Sequence, residues 1–172
     1  MSYEQVFFLF PLVAGIAFSN VTATAAEEPL IFISAFAPGE KGAIHAYKMN
    51  PQTGELKLVE RTPDVEHPFF LAVSPDNKFL YSIHAPGKFS GKDNEFVSAF
   101  ALEGRTGKLK LLNRQSSQGT ASCYLDIDKS GKSVVVANYT TGSVACLPVK
   151  ADGSLGEAET FIQHTGSSVN PQ

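Results

Sequence analysis

The hydrophobic residues of this chain come in short runs divided by tight polar turns, the pattern of strands linked as hairpins. Phe69, Phe70, Leu71, Ala72 and Val73 lead into the turn Ser74, Pro75, Asp76, Asn77, and Phe79, Leu80 and Tyr81 resume the apolar run. The same design returns 54 residues on: Cys123, Tyr124, Leu125 and Ile127, a turn from Asp128 to Gly131, then Val134 and Val135. A second pattern recurs beside it. The stretch 47–56, with Asn50, Pro51, Thr53, Gly54 and Leu56, is echoed at 100–109 and again at 148–155, placing turn glycines at Gly54, Gly107 and Gly153.

Joined, the two patterns define a unit of four antiparallel strands: an inner strand, a hairpin to a second, a loop to a third, and a Thr-Gly or Asp-Gly turn to a fourth. That is the blade of a β-propeller. The fold class predicted is therefore all-β, an incomplete propeller of about two and a half blades. Residues 30–66 form a partial blade without its innermost strand, 67–120 and 121–163 form two full blades, and 164–172 form an inter-blade loop. A four-stranded blade cannot bury both faces alone, and rings of about four to eight blades meet that need. The expectation is thus a truncated copy of a longer propeller, with a domain that completes its ring by dimerising as the alternative.

Ahead of the repeats, residues 6–18 are an apolar run of 13 broken only by Pro11 and Gly15, too short to span a bilayer. Ala23-Thr24-Ala25 has the small-x-small form of a cleavage site, so residues 1–25 are predicted to be a signal peptide, and 26–172 an exported domain, periplasmic or extracellular. The leading Met1 to Gln5 lack the positive charge that such a leader normally carries; without a true leader the protein would be cytoplasmic.

The net charge of −3, from 14 Lys+Arg and 17 Asp+Glu scattered singly, provides no basic stripe for nucleic acid. The absence of Trp argues against tryptophan-aspartate repeats. Cys123 opens one strand and Cys146 lies on the next strand but one, about 9.6 Å away across two ladder spacings. A disulfide needs α-carbons within about 7 Å, so two buried, reduced cysteines are expected. There is no Gly-x-Ser-x-Gly elbow, no phosphate-cradling glycine loop and no zinc-binding His-Glu-x-x-His, and no His/Cys/Asp cluster has metal-ligand spacing. No metal or cofactor is expected.

In a propeller, residues just ahead of an inner strand line the central channel. That makes His67, before Pro68, a candidate channel residue, although a histidine there also serves as an ordinary loop residue. His84 and Asn138 end second strands at equivalent places, 54 residues apart. His45, between Ile44 and Ala46, reads as structural.

The succession Thr53-Gly54-Glu55-Leu56, Pro68-Phe69-Phe70-Leu71-Ala72-Val73-Ser74-Pro75-Asp76 and above all Ala137-Asn138-Tyr139-Thr140-Thr141-Gly142-Ser143-Val144 resembles the lactonase family of seven-bladed propellers, over nearly all of 31–172. Its members include bacterial 6-phosphogluconolactonases and a fungal carboxymuconate cyclase. His164, Gly166, Ser168 and Asn170 resemble the family's His-x-Gly-x-x-x-Asn lead-in to an Arg-Gln segment and a Pro-His-x-His motif. The resemblance implies hydrolysis of a sugar lactone such as 6-phosphogluconolactone, with catalytic groups expected beyond Gln172 and this chain inactive by itself. It also makes Asn138, Tyr139, His164, Ser168 and Asn170, with His67, candidates for binding the lactone. A non-catalytic propeller that binds a ligand or partner protein is the alternative. The partner expected is thus a small sugar lactone, not nucleic acid and not a membrane once a leader is removed; the oligomeric state stays open.

Overall fold

The computed structural model describes residues 27–85 and 95–166; the proposed leader, Ser168 and Asn170 lie outside the described residues. Among the described residues, eleven strands form three antiparallel sheets. The first holds β1 (Leu30–Ala35), β2 (Ala43–Met49) and β3 (Leu56–Thr62), with one 3₁₀ turn, Gly39–Lys41, between β1 and β2. The second runs β4 (Leu71–Val73), β5 (Phe79–His84), β6 (Phe96–Leu102) and β7 (Leu109–Ser116). The third runs β8 (Ser122–Ile127), β9 (Ser133–Asn138), β10 (Ser143–Pro148) and β11 (Thr160–Gln163). Each sheet is a meander in chain order, as expected of propeller blades.

The repeat is physical as well as sequential. In the second sheet Ser74 Oγ accepts the N–H groups of Lys78 (3.2 Å) and Phe79 (2.9 Å). At the equivalent hairpin Asp128 Oδ1 accepts those of Lys132 (2.7 Å) and Ser133 (2.8 Å). Two different side chains thus close one turn, because either oxygen reaches backbone donors left unpaired at the strand ends. The hydrogen bonds from Ser130, its hydroxyl foremost, with those from the backbone, hold the Asp128 carboxyl down at about 2. Register shifts fall at matching places, between Ala46 and Tyr47 in β2 and between Ala99 and Phe100 in β6.

The inner strands β4 and β8 pack together, β5 also meets β8, and β1 meets β4. In that arrangement β1 stands to β4 as β5 stands to β8, the relation of a second strand to the inner strand of the following blade. Among the described residues the first sheet therefore holds strands placed as the second, third and fourth of a blade.

Side-chain alternation sends the two faces of the middle sheet into two cores. Leu80 and Phe100 join Ile44 and Val65 on the side of the first sheet. Tyr81, Ile83, Val97 and Ala99 join Leu125, Val134, Val136, Ala145, Leu147 and Leu155 on the side of the third. Each fully buried Leu or Ile contributes about 1.5–3 kcal/mol relative to exposure, so these inter-blade faces are the main source of cohesion. Tyr81 anchors the larger core by donating its hydroxyl to Gly153 O at 3.1 Å, and burial pushes that phenol up to about 12. Cys123 and Cys146 are both free, with β9 between their strands, and half-buried rather than buried.

Candidate mouth of the propeller

One end of the blades is built by the loops leading into β4 and β8 and by the ends of β5 and β9. The two loops share an unusual backbone: Asp64 and His67 in the first, Gln118 and Ala121 in the second, are left-handed (φ 59°, 44°, 60° and 51°). These pairs lie 54 residues apart. Such a conformation costs a non-glycine residue about 1–3 kcal/mol and persists where surrounding contacts enforce it.

Around β8 those contacts form a closed polar network. Glu95 is buried, and its carboxylate accepts the backbone N–H of Ala121 at 3.0 Å and of Ser122 at 2.7 Å. Burial raises the Glu95 carboxyl above its ordinary value, while the hydrogen bonds from Ser122 and Ala121 oppose the shift. Asn138, 3 % exposed, accepts from Ser122 Oγ at 2.7 Å. Its amide nitrogen donates to Ser117 O at 2.9 Å and to Ser143 Oγ at 3.1 Å. The network fixes the start of the inner strand against the end of the second.

Asn138 therefore spends its amide on internal partners and acts on its surroundings by position. Tyr139 follows it and behaves differently: its N–H donates to Ala121 O at 2.9 Å, while its side chain is 80 % exposed. An aromatic ring held out on a pinned backbone is suited to stacking on a ligand. His164 lies after β11 and is also exposed, its N–H donating to Gly142 O at 2.9 Å. The structure thus brings Asn138, Tyr139, Gly142 and His164 to one end of the third blade.

His67 is buried in the preceding loop. Its Nδ1 lies 3.0 Å from Ala85 O, which fixes that nitrogen as the N–H donor, and its backbone N–H donates to Ala37 O at 2.9 Å. The ring also packs tilted on Phe36, centroids 5.0 Å apart. His45 stands in β2 with its ring 6.3 Å from that of Tyr47.

One participant leaves no trace in the sequence pattern. Glu95 has Gly42 as its counterpart 53 residues earlier, so the repeat gives no sign of it. Arg114, on β7, stands where Arg61 stands on β3, 53 residues earlier, and lines a cavity with His84 of its own sheet. Among the described residues, no group of three His, Cys, Asp or Glu side chains could hold a metal ion, and no helix is long and apolar enough to cross a membrane.

Residues 30–172 match the family described as Lactonase, 7-bladed beta-propeller. The chain is 33 % identical over 141 residues to a 6-phosphogluconolactonase of Formosa agariphila, covering 81 % of this chain and 39 % of that one. To the 6-phosphogluconolactonase of Bacillus subtilis it is 27 % identical over 135 residues, covering 78 % and 37 %. Among solved structures, the periplasmic gluconolactonase of Pseudomonas aeruginosa superposes with a TM-score of 0.69 at 25 % identity, covering 83 % of this chain and 41 % of that one. The chain thus spans about 39 % of the length of the first of these curated relatives.

Proposed function

Because the chain belongs to the lactonase family of seven-bladed β-propellers, we propose that the whole protein hydrolyses a sugar lactone of the gluconolactone type. The observation that carries this reading is the match of the three blades to that family, supported by relatives named for this chemistry. Water adds to the lactone carbonyl, the ring C–O bond breaks, and the ring oxygen takes a proton to give a hydroxy acid. At neutral pH that acid releases one proton to solvent.

The step needs a base for the water and donors for the developing oxyanion. We assign neither to the described residues: Asn138 and Glu95 are committed to each other's neighbourhood, and His67 donates Nδ1–H to a carbonyl. The base and the oxyanion donors come from other blades of the ring, and residues 1–172 alone turn over no lactone. The described blades contribute a wall of the mouth, where Tyr139 and His164 contact the sugar. Export through the leader 1–25 favours an unphosphorylated lactone, and the likeness to a periplasmic gluconolactonase supports that choice.

The test is lactone-dependent proton release by the full-length protein, comparing glucono-1,5-lactone with its 6-phospho form in the presence of a chelator. Turnover that persists with chelator and falls on Tyr139→Ala supports the reading. Saturable lactone binding without proton release would assign the protein to non-catalytic binding instead.

A further inference from the structure

The end of the blades opposite the mouth carries the hairpin turns, and there the two full blades differ in charge. Between the second and third sheets this end opens into a groove of about 690 Å³, walled by residues 74–76 and Phe79 of one blade and by 129–132 and 149–151 of the next. That volume lies within the range of about 300–1,000 Å³ usual for ligand sites. Three exposed lysines, Lys129, Lys132 and Lys150, line it, and among the described residues none of them forms an ion pair. Phe79, Pro75 and Val149 supply apolar lining between them.

The repeat shows that these charges are particular to this groove. Lys129 and Ser130 stand where Pro75 and Asp76 stand 54 residues earlier. Lys132 corresponds to Lys78, whose Nζ lies 3.6 Å from Asp76 Oδ2 in its own turn; with Ser130 in that place, Lys132 has no such carboxylate. Lys150 stands where Glu103 stands, because the residues before them, Val149 and Leu102, donate their N–H groups to Lys132 O and Lys78 O, each at 2.8 Å. In the corresponding groove between the first two sheets the cation, Arg105, is spent on Glu27 at 3.4 Å and on Glu28 O at 2.7 Å. The acids near the lysines are committed to other donors. Asp76 accepts from Ser74 Oγ at 2.6 Å and pairs with Lys78, Asp128 closes its own hairpin, and Asp152 accepts the N–H and hydroxyl of Ser154 at 3.0 and 2.7 Å. On a chain of net charge −3 this groove is a local cationic site.

We propose that this groove docks an acidic peptide segment of a partner protein, with an apolar residue seated among Phe79, Pro75 and Val149 and flanking carboxylates on Lys129, Lys132 and Lys150. Lysine ammonium groups are point charges on flexible stems, so they suit several spread carboxylates better than one anion of fixed geometry. Exposed ion pairs are individually weak, and an extended segment sums several of them with apolar contact. A compact anion would need further donors to hold it, and the Ser74 and Ser130 hydroxyls of the lining already donate to Asp76 and Asp128. The site lies at the far end of the blades from the mouth, so the inference does not depend on lactone hydrolysis.

The experiment titrates the full-length protein into a fluorescein-labelled Glu-Asp-Leu-Asp-Glu peptide, read by fluorescence polarisation, with labelled Lys-Lys-Leu-Lys-Lys and unlabelled citrate as comparisons. Saturable binding of the acidic peptide is expected, weakening severalfold between about 50 and 300 mM salt, with none for the basic peptide. Combining Lys129→Glu, Lys132→Glu and Lys150→Glu should weaken binding about tenfold or more, whereas Lys57→Glu, at an exposed position on β3, should change it by less than about twofold. The proposal is overturned if the acidic peptide does not saturate, or if the combined variant, its fold checked by circular dichroism, binds as wild type does. An equal loss in Lys57→Glu would overturn it too, since attraction would then be to the protein's surface at large. Displacement of the peptide by citrate with equal or higher affinity would replace the peptide with a compact anion. The wild-type titrations decide the matter even if the combined variant does not fold.

Discussion

Replacing Gly153 with alanine tests how tightly consecutive blades are fitted. Gly153 sits in the third blade's turn at φ +83°, and a Cβ built there meets Cδ1 and Cε1 of Phe79 at 2.1 Å and Cζ at 2.5 Å. Phe79 belongs to the blade before, so the clash is between blades. The left-handed backbone costs an alanine about 1 kcal/mol. The ring must then recede by more than about 1 Å from a packed position, an overpacking cost of about 1–3 kcal/mol. Moving the turn also weakens the hydrogen bond from Tyr81 Oη to Gly153 O, about 1 kcal/mol more. The sum is about 3–5 kcal/mol. Gly104→Ala is the control, because Gly104 has φ +58° and a Cβ added there meets nothing within 4 Å, so only the backbone cost of about 1 kcal/mol applies. With a urea m-value of about 2 kcal/mol/M, the midpoint should fall by about 1.5–2.5 M for Gly153→Ala and by about 0.5 M for Gly104→Ala. Equal shifts for the two variants would refute the claim that the Gly153 turn is an inter-blade contact.

His84 should make stability pH-dependent: its folded value of about 4 lies below the ordinary 6.5, so its contribution is complete above pH 6.5 and is lost as pH falls toward 4. The span is up to about 3 kcal/mol, and His84→Phe should remove that slope from denaturation curves taken between those limits. Glu95 has the raised value usual for a buried acid, so its contribution is greatest in its protonated form and declines as pH rises through its folded value. Glu95→Gln should flatten that decline, as followed by thermal melting against pH. Asn138→Ala removes one hydrogen bond each from the Ser122 and Ser143 hydroxyls and from Ser117 O and should cost about 2–4 kcal/mol. Tyr139→Ala, at an 80 % exposed side chain, should stay within about 0.5 kcal/mol of wild type while weakening lactone binding.

Much of this architecture was legible in the sequence because propeller blades repeat local chemistry. The 54-residue offset between Ser74 and Asp128 marks equivalent hairpins even though serine and aspartate share little but an oxygen at the right reach. The mouth was less so. Asn138 was visible as a position, but its commitment to Ser117, Ser122 and Ser143 depends on residues brought from two blades. Glu95 carries no repeat signal, since its importance arises only where one blade's loop meets another's strand. The half-burial of the cysteines has a similar origin: Cys146 pairs with Val135 in the third sheet, on its side away from the core.

The outward side of the third sheet repeats a surface that is interior one blade earlier. The cross-strand pairs Tyr81 with Ala99 and Ile83 with Val97 are buried in the second sheet. Their counterparts, Val135 with Cys146 and Ala137 with Val144, lie on the other side of the third sheet from its core, where Val135 is 41 % exposed, Tyr124 50 % and Ile162 50 %. On a ribosome, a chain built this way emerges with one sticky face at every stage, because each blade masks its predecessor and presents a new one. Its hazard during synthesis is therefore nearly constant from blade to blade. A holdase that recognises one such face would serve for all of them.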